Sequence, residues 1–318
     1  MRACPFFGTA PMSNASSARP ASVLAIGLAL TAVYVVWGST YLAIRFALEG
    51  GYPPLLMAGT RFIAAGALMY AVLRLRGVPA PTRAQWPNVI AMGVLLLGLG
   101  NGMVCIAEQS VSSGLAAVAV ASVPIWVALF SVMRGERPGP IEWAGLAIGF
   151  VGVLWLNAGS SLTSTPAGLV ALLIAPLAWA FGSVWSRGRD LPSPFMAAAA
   201  QMLAGGVLIL ATGLLLGERL DVPPTPKGHL ALAYLASFGS IVGFTAYVWL
   251  LHNVRPTLAS SYAYVNPAIA VVLGAWLAAE RFTAHDLGAM AVILAAVVAI
   301  TLGRARKAPV PAAAGDEA

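Results

Sequence analysis

Residues 36–46 read VWGSTYLAIRF, and residues 178–188 read AWAFGSVWSRG. Trp37 matches Trp179 and Arg45 matches Arg187, each pair 142 positions apart. The offset persists far beyond this stretch. Pro53 and Pro194 stand 141 apart, Gly66 and Gly206 140, Gly100 and Gly243 143, and Pro124 and Pro267 143. GLAAVAVASVPIW (114–126) is echoed by TLASSYAYVNPAI (257–269), and Glu136-Arg137 by Glu280-Arg281 at an offset of 144. Shared hydrophobicity does not hold a near-constant offset over a whole chain. The chain reads as an internal duplication.

Each copy is built of apolar runs. The chain is 59% hydrophobic and 9% charged, with a mean hydropathy of +0.85. A soluble domain carries about 25% charged residues. So few charges do not cover a water-facing surface, and an all-α, polytopic membrane protein follows. A span needs about 20 apolar residues. Ten spans are predicted, at 22–47, 54–75, 87–108, 111–133, 140–158, 167–187, 194–216, 229–251, 257–279 and 284–303. Breaks fall at GGYPP, RGVPAPTR, MRGERPGP, RDLPSP and LDVPPTPKG, where Gly and Pro interrupt the pattern. The first repeat spans 22–158 and the second 167–303, flanked by tails at 1–21 and 304–318 that read as disordered. The N-terminal tail lacks the central apolar region of a signal peptide, and either Met1 or Met12 is compatible with the start.

Five spans per copy is an odd number, so the second copy enters the membrane from the opposite side. With both termini cytoplasmic, 13 of the 18 basic residues fall on inside segments and three on outside loops, as the positive-inside rule requires. Inverted repeats of this kind mark secondary transporters, with the site near the midplane between the repeats. The Ala-rich composition and the lack of an organelle-type transit peptide point to a bacterial inner membrane. The charge of +7 is scattered between apolar runs, which argues against nucleic acid as a partner. His229, His252 and His285 sit singly, Cys4 and Cys105 form no CxxC, and neither a metal site nor a cofactor is expected.

Three segments carry a family likeness: WGSTYLAIRFALEGGYPPLLMAGTRF (37–62), AEQSVSSGLAAVAVASVPIWVALF (107–130) and AYVNPAIAVVLGAWLAAERF (263–282). Together they resemble the EamA-type branch of the drug/metabolite transporter superfamily. The resemblance implies ten helices in two inverted halves and alternating access. It also implies a central cavity lined mainly by helices 1, 3, 4, 6, 8 and 9, with helices 5 and 10 peripheral. Members export amino acids and other small metabolites, and others carry drugs, nucleotide-sugars or sugar phosphates.

Candidate residues follow from helical spacing. Tyr34, Trp37, Tyr41 and Arg45 form one stripe of the first span. The two tyrosines and Trp37 either line the cavity, stacking on a substrate's apolar part and bonding its polar part, or pack helices together. Asn101, Ser122, Trp126, Trp179, Ser183, Ser240, Tyr247, Tyr262 and Asn266 join them as candidate cavity residues. A buried amide bonds either a neighbouring helix or a ligand. Arg45, Arg61 and Glu108 sit in the outer half. Either Arg61 pairs with Glu108 to close an outer gate, or Arg61 or Arg45 meets a substrate carboxylate, with Glu108 carrying a coupling proton. Pro124 and Pro267, read as mid-span, are candidate hinges. Gly98-x-x-x-Gly102, Gly145-x-x-x-Gly149 and Gly239-x-x-x-Gly243 read as helix-packing devices.

Rival classes lack their chemistry. An intramembrane enzyme needs convergent acids, a nucleophile with a base, or a metal cluster. A channel needs a ring of pore groups. The expected function is export of amino acids or related small metabolites, and the alternative is a broad-specificity exporter of drugs or toxic compounds. Helices 5 and 10 are hydrophobic all round and suit lipid or a protein partner.

Overall fold

The computed structural model describes residues 21–107, 109–110, 119–136, 138–156, 158, 165–278 and 283–305. The predicted terminal tails, Glu108, Arg137 and the Glu280-Arg281 pair lie outside these residues, apart from the tail edges. No strand occurs among the described residues.

Ten helices are labelled here in chain order. The first copy holds α1 (Val23–Glu49), α2 (Pro54–Leu75), α3 (Trp86–Ala107), α4 (Ala119–Met133) and α5 (Pro140–Leu156). The second holds α6 (Pro166–Trp185), α7 (Pro194–Leu215), α8 (Pro226–Asn253), α9 (Tyr262–Ala278) and α10 (Ala284–Ala305). A one-turn helix, Pro256–Ala259, precedes α9. Six of them, α1, α2, α3, α6, α7 and α8, are long and apolar enough to cross a membrane. The chain is thus an integral membrane protein. The described apolar parts of α4, α5 and α10 run for 10 to 17 residues.

The breaks seen in the sequence are helix starts. Pro54, Pro140, Pro166, Pro194 and Pro226 each open a helix, where the missing N–H costs nothing and the fixed φ is already helical. Ser22, Thr165 and Thr225 cap α1, α6 and α8 by accepting a backbone N–H three residues on. Gly77 and Gly217, which follow the 22-residue helices α2 and α7, hold φ of +78° and +85°, a conformation that costs glycine least.

The copies match in detail. α3 and α8 each carry a ten-residue π-helical stretch, Gly93–Gly102 and Leu235–Phe244. α2 packs along α7, and α5 along α10. The first contact is reciprocal. A Cβ on Gly66 would stand 2.8 Å from the Leu203 nitrogen, and one on Gly206 would stand 2.8 Å from the Ile63 nitrogen. Both pairs of mates, Gly66–Gly206 and Ile63–Leu203, are 140 apart. Glycine is needed at both because the two backbones touch there. Gly145 and Gly152 do the same for α5 against Ile300 and Ile293 of α10, and Gly149 makes room for the Tyr264 ring of α9.

The prolines expected as paired hinges differ. Pro267 lies inside α9, but Pro124 is the second residue of the helical segment Val123–Met133, after a turn at Ser122. In that place proline starts a helix instead of kinking one. Ile125 and Trp126 both donate their N–H to the Ser122 carbonyl, which completes the restart.

Candidate functional site

Between the copies lies a cavity of about 770 Å³, its mouth included. It is lined from α1, α2, α3, α4, α6, α8 and α9. That set is the six helices expected from the family likeness, with α2 added.

The floor is aromatic. Trp37 stands edge-on to Tyr262 at 4.7 Å and to Trp179 at 5.6 Å, and lies 5.2 Å from Tyr247. Tyr247 closes the cluster against Trp179 at 5.4 Å and Tyr262 at 5.6 Å. Edge-to-face pairs at these spacings stabilise by about 0.5–1.5 kcal/mol each beyond burial. Each tryptophan rests on a glycine of the other copy. Trp37 lies against Gly243 and donates its Nε1–H to the Gly239 carbonyl at 3.0 Å. Trp179 lies against Gly100, where a Cβ would come within 2.7 Å of the indole. Trp37–Trp179 and Gly100–Gly243 are repeat mates, so this contact too is reciprocal.

The walls hold the polar groups. Arg61, 3% exposed, donates to the Asn101 Oδ1 at 2.7 Å, and its guanidinium stands 4.5 Å from the centre of the Phe62 ring. These contacts offset part of the cost of an internal cation. Asn266, 2% exposed, lines the cavity, and its Oδ1 is buried with no hydrogen-bond partner. Tyr41, Thr40 and Tyr262 complete the polar lining.

The cavity occupies one half of the bundle. Trp37, Tyr41 and Ile44 run towards the C-terminal end of α1, Arg61 sits in the N-terminal part of α2, and Asn101 and Val104 in the C-terminal part of α3. Those ends meet near the α1–α2 turn. The opposite half is closed by polar contacts. The Tyr34 hydroxyl bonds Ser261 at 2.6 Å, and the Tyr247 hydroxyl bonds Ser183 at 2.6 Å and accepts the Trp179 Nε1–H at 3.0 Å. Beyond these, Arg134 donates to the carbonyls of Val184 and Arg187, and Arg187 pairs with Glu136 at 3.3 Å. Glu142, 2% exposed at the start of α5, pairs with Arg255 at 3.0 Å and accepts from the Thr257 hydroxyl and the Gly139 N–H.

Of the sequence candidates, Trp37, Tyr41, Asn101, Trp179, Tyr262, Asn266 and Arg61 meet in the cavity. Tyr34, Ser183 and Tyr247 lie in the closed layer below it. Ser122 bonds the Ala119 carbonyl, Ser240 bonds the Leu235 carbonyl, and Trp126 packs against the hydrophobic core. Arg45 is away from the cavity: its side chain is 74% exposed and pairs with Glu49 one turn on. Glu108 lies outside the described residues, as does any pairing with it. Pro176, Phe62, Ile44 and Val104 also line the cavity without having been singled out. Pro176 was visible as a proline within an apolar run, but its mate is Tyr34, so a search for duplicated prolines passes over it. Glu142 was visible as an acid within a predicted span. Its partners, 113 and 115 residues away, were not.

The Glu142 contact closes the molecule where α5 meets the turn before α9. Removing one partner of a buried pair costs about 3–5 kcal/mol. Arg255 is 25% exposed and rehydrates in part, so Glu142→Ala is expected to cost about 1–3 kcal/mol. A fall in melting temperature, with greater accessibility at Thr257, checks this; a wild-type melting temperature contradicts it.

Tandem helical copies that share a cavity across a reciprocal contact define a membrane transporter. The EamA-like transporter family model matches the chain twice, at residues 23–158 and 166–302. The chain belongs to that family. It is 47% identical over 277 residues to the "Uncharacterized inner membrane transporter YedA" of Escherichia coli K12, covering 87% of this chain and 90% of the relative. It is 28% identical over 303 residues to "Protein PagO" of Salmonella typhimurium LT2, covering 92% and 97%. The "WAT1-related protein At3g02690, chloroplastic" of Arabidopsis thaliana is 28% identical over 286 residues, covering 84% of this chain and 67% of the relative. A solved crystal structure superposes with a TM-score of 0.77 at 22% identity, covering 90% of this chain and all of that one. That last likeness speaks for the fold alone.

Proposed function

We propose that the protein exports amino acids or closely related metabolites by alternating access around this cavity. Two inverted five-helix repeats, 22–158 and 167–303, rock about the α2–α7 contact, with both termini cytoplasmic and tails at 1–21 and 304–318. The reciprocal Gly66 and Gly206 contacts support a two-fold relation between the copies, and the odd number of spans per copy supports its inversion. The basic residues support the orientation.

One observation carries the substrate reading. A buried guanidinium, Arg61, and a buried amide oxygen with no partner, Asn266 Oδ1, line one cavity with an aromatic floor. An α-amino acid offers the complement: a carboxylate for Arg61, an ammonium for Asn266, and a side chain for Trp37 and Trp179. The second reading, broad export of drugs or toxic compounds, draws on the apolar walls formed by Phe62, Leu97, Val104, Val120 and Val123.

Tryptophan fluorescence tests this, because Trp37 and Trp179 line the cavity. Amino acids are expected to quench it saturably, and their methyl esters and deaminated analogues to do so poorly. Asn266→Leu is expected to weaken binding about 10- to 100-fold, the equivalent of one hydrogen bond to a charged group. Equal binding of acids and esters rules out the carboxylate role.

A further inference from the structure

A second hollow lies on the outside of the bundle, between α3 and α7. Trp86 and Ile90 of α3 and Leu203, Ala204 and Val207 of α7 line it, so its walls are apolar. The two helices run in contact here: a Cβ on Gly93 would stand 2.9 Å from the Gly205 nitrogen. Helices that touch along glycines leave a narrow furrow where their larger side chains diverge. Ile90 and Leu97 are seven residues apart and would share a face of an unbroken α-helix. Yet Ile90 is 48% exposed and lines the furrow, while Leu97 is 1% exposed and lines the cavity. The π-helical stretch that starts at Gly93 turns the helix between them. The furrow is therefore separate from the cavity and faces lipid.

One end of the furrow is basic. α7 has α2 on its other flank, where Gly66 meets Leu203, so the link from α2 to α3 passes the start of α7. Gln85 and Asn88 fix that arrangement by donating to Asp190, just before α7, at 2.9 Å each. The link carries Arg76 and Arg83, both exposed, and Arg74 lies in the last turn of α2. No Asp or Glu stands between Glu49 and Glu108, and the nearby Asp190 carboxylate accepts the Gln85 amide. Trp86, the first residue of α3, stands between these charges and the apolar floor. Tryptophan at the end of a span sits at the level of the lipid headgroups.

We propose that this furrow holds one acyl chain of an anionic phospholipid, with the acidic headgroup against Arg76 and Arg83. The bilayer supplies chains to any furrow, and the charge decides which lipid stays. Basic residues beside a span favour acidic headgroups by about fivefold for each Lys or Arg at the surface. Arg74 donates to the Val78 carbonyl and orders the link instead. The furrow abuts the π-helical stretch that supplies Leu97, Gly100 and Asn101 to the cavity, so the lipid braces the helix whose Asn101 holds Arg61. The site rests on α3 and α7 spanning the membrane and not on the substrate reading above.

The test is quenching of tryptophan fluorescence in proteoliposomes of phosphatidylcholine that contain rising fractions of acyl-brominated phosphatidylglycerol or acyl-brominated phosphatidylcholine. The difference between each protein and its Trp86→Phe counterpart isolates the Trp86 signal. That signal is expected to be half quenched at a phosphatidylglycerol fraction about fivefold or more below the phosphatidylcholine one, and high salt is expected to narrow the gap. Arg76→Gln with Arg83→Gln is expected to remove the preference, and Arg219→Gln, exposed beyond the other end of α7, to keep it. Both link arginines are exposed, so the double variant is expected to keep the wild-type melting temperature. Ala204→Leu fills the furrow and is expected to remove the preference with both arginines in place. Equal quenching by the two lipids in the wild type overturns the site. A preference that survives the double arginine variant or Ala204→Leu belongs to the surrounding lipid as a whole and overturns it equally. No substrate enters the assay, so an error in the amino-acid assignment leaves this result unchanged.

Discussion

Arg61→Leu is expected to abolish the saturable amino-acid transport proposed above, and Arg61→Lys to keep a measurable part of it. Arg61 is the buried cation of the cavity, held by Asn101 and lying over Phe62. In low dielectric a guanidinium–carboxylate contact is strong, and its fork geometry adds direction. Losing one charge-assisted contact costs about 1.5–3 kcal/mol, roughly a 10- to 150-fold loss in affinity. Lysine restores the charge without the fork, which is why partial activity is expected. A purely structural arginine gives another pattern: Arg61→Leu would lower the melting temperature, and whatever folded would transport with a wild-type KM. Transport kinetics and thermal stability, measured on the same preparations, separate the two.

The second large effect comes from the reciprocal tryptophan–glycine contacts. Gly243→Ala puts a methyl group into the Trp37 indole, and Gly100→Ala puts one within 2.7 Å of Trp179. Each ring yields only towards the cavity it lines and by giving up its contacts, the Gly239 bond and Tyr262 for Trp37 and the Tyr247 bond for Trp179. Overpacking of this kind costs about 1–3 kcal/mol, and the displaced ring enters the cavity. Each substitution is expected to reduce transport by about tenfold or more. Gly239→Ala is the contrast, since its nearest neighbour is the Thr40 methyl at 3.1 Å, the end of a side chain. The double variant Gly243→Ala with Trp37→Phe is expected to recover stability relative to Gly243→Ala alone, a coupling that a double-mutant cycle measures. Additive effects contradict the contact.

Much of this was written in the sequence because duplication is a pattern of offsets, and offsets survive without coordinates. Trp37 and Trp179 were matched from the sequence, and so were Gly100 and Gly243; the structure adds that each tryptophan sits on the other copy's glycine. Helical spacing put Trp37 and Tyr41 on the face of α1 that lines the cavity, but it also picked Ser122, Trp126 and Ser240, which do not line it. It did not find the depth. Tyr34 and Trp37 share a face of α1, yet one lies in the closed layer and the other lines the cavity. Which half of the bundle is open is a property of one conformation, and helical periodicity is the same in both. Arg45 was aligned with the stripe, but one more turn carried it out to Glu49 and solvent. Pro124 looked like a mid-span kink because the turn at Ser122 leaves no mark in an apolar run. Glu142 and Arg255 are joined only by the way α5 packs, which local spacing does not encode.

The most direct measurement is efflux from proteoliposomes loaded with a panel of labelled amino acids, with and without a pH gradient, comparing wild type, Arg61→Leu and Trp37→Ala. The proposal predicts saturable efflux of at least one class of amino acid by the wild type, lost in both variants. If no amino acid leaves faster than from protein-free liposomes while a dye and drug panel does, the cavity serves other compounds and the amino-acid reading is wrong.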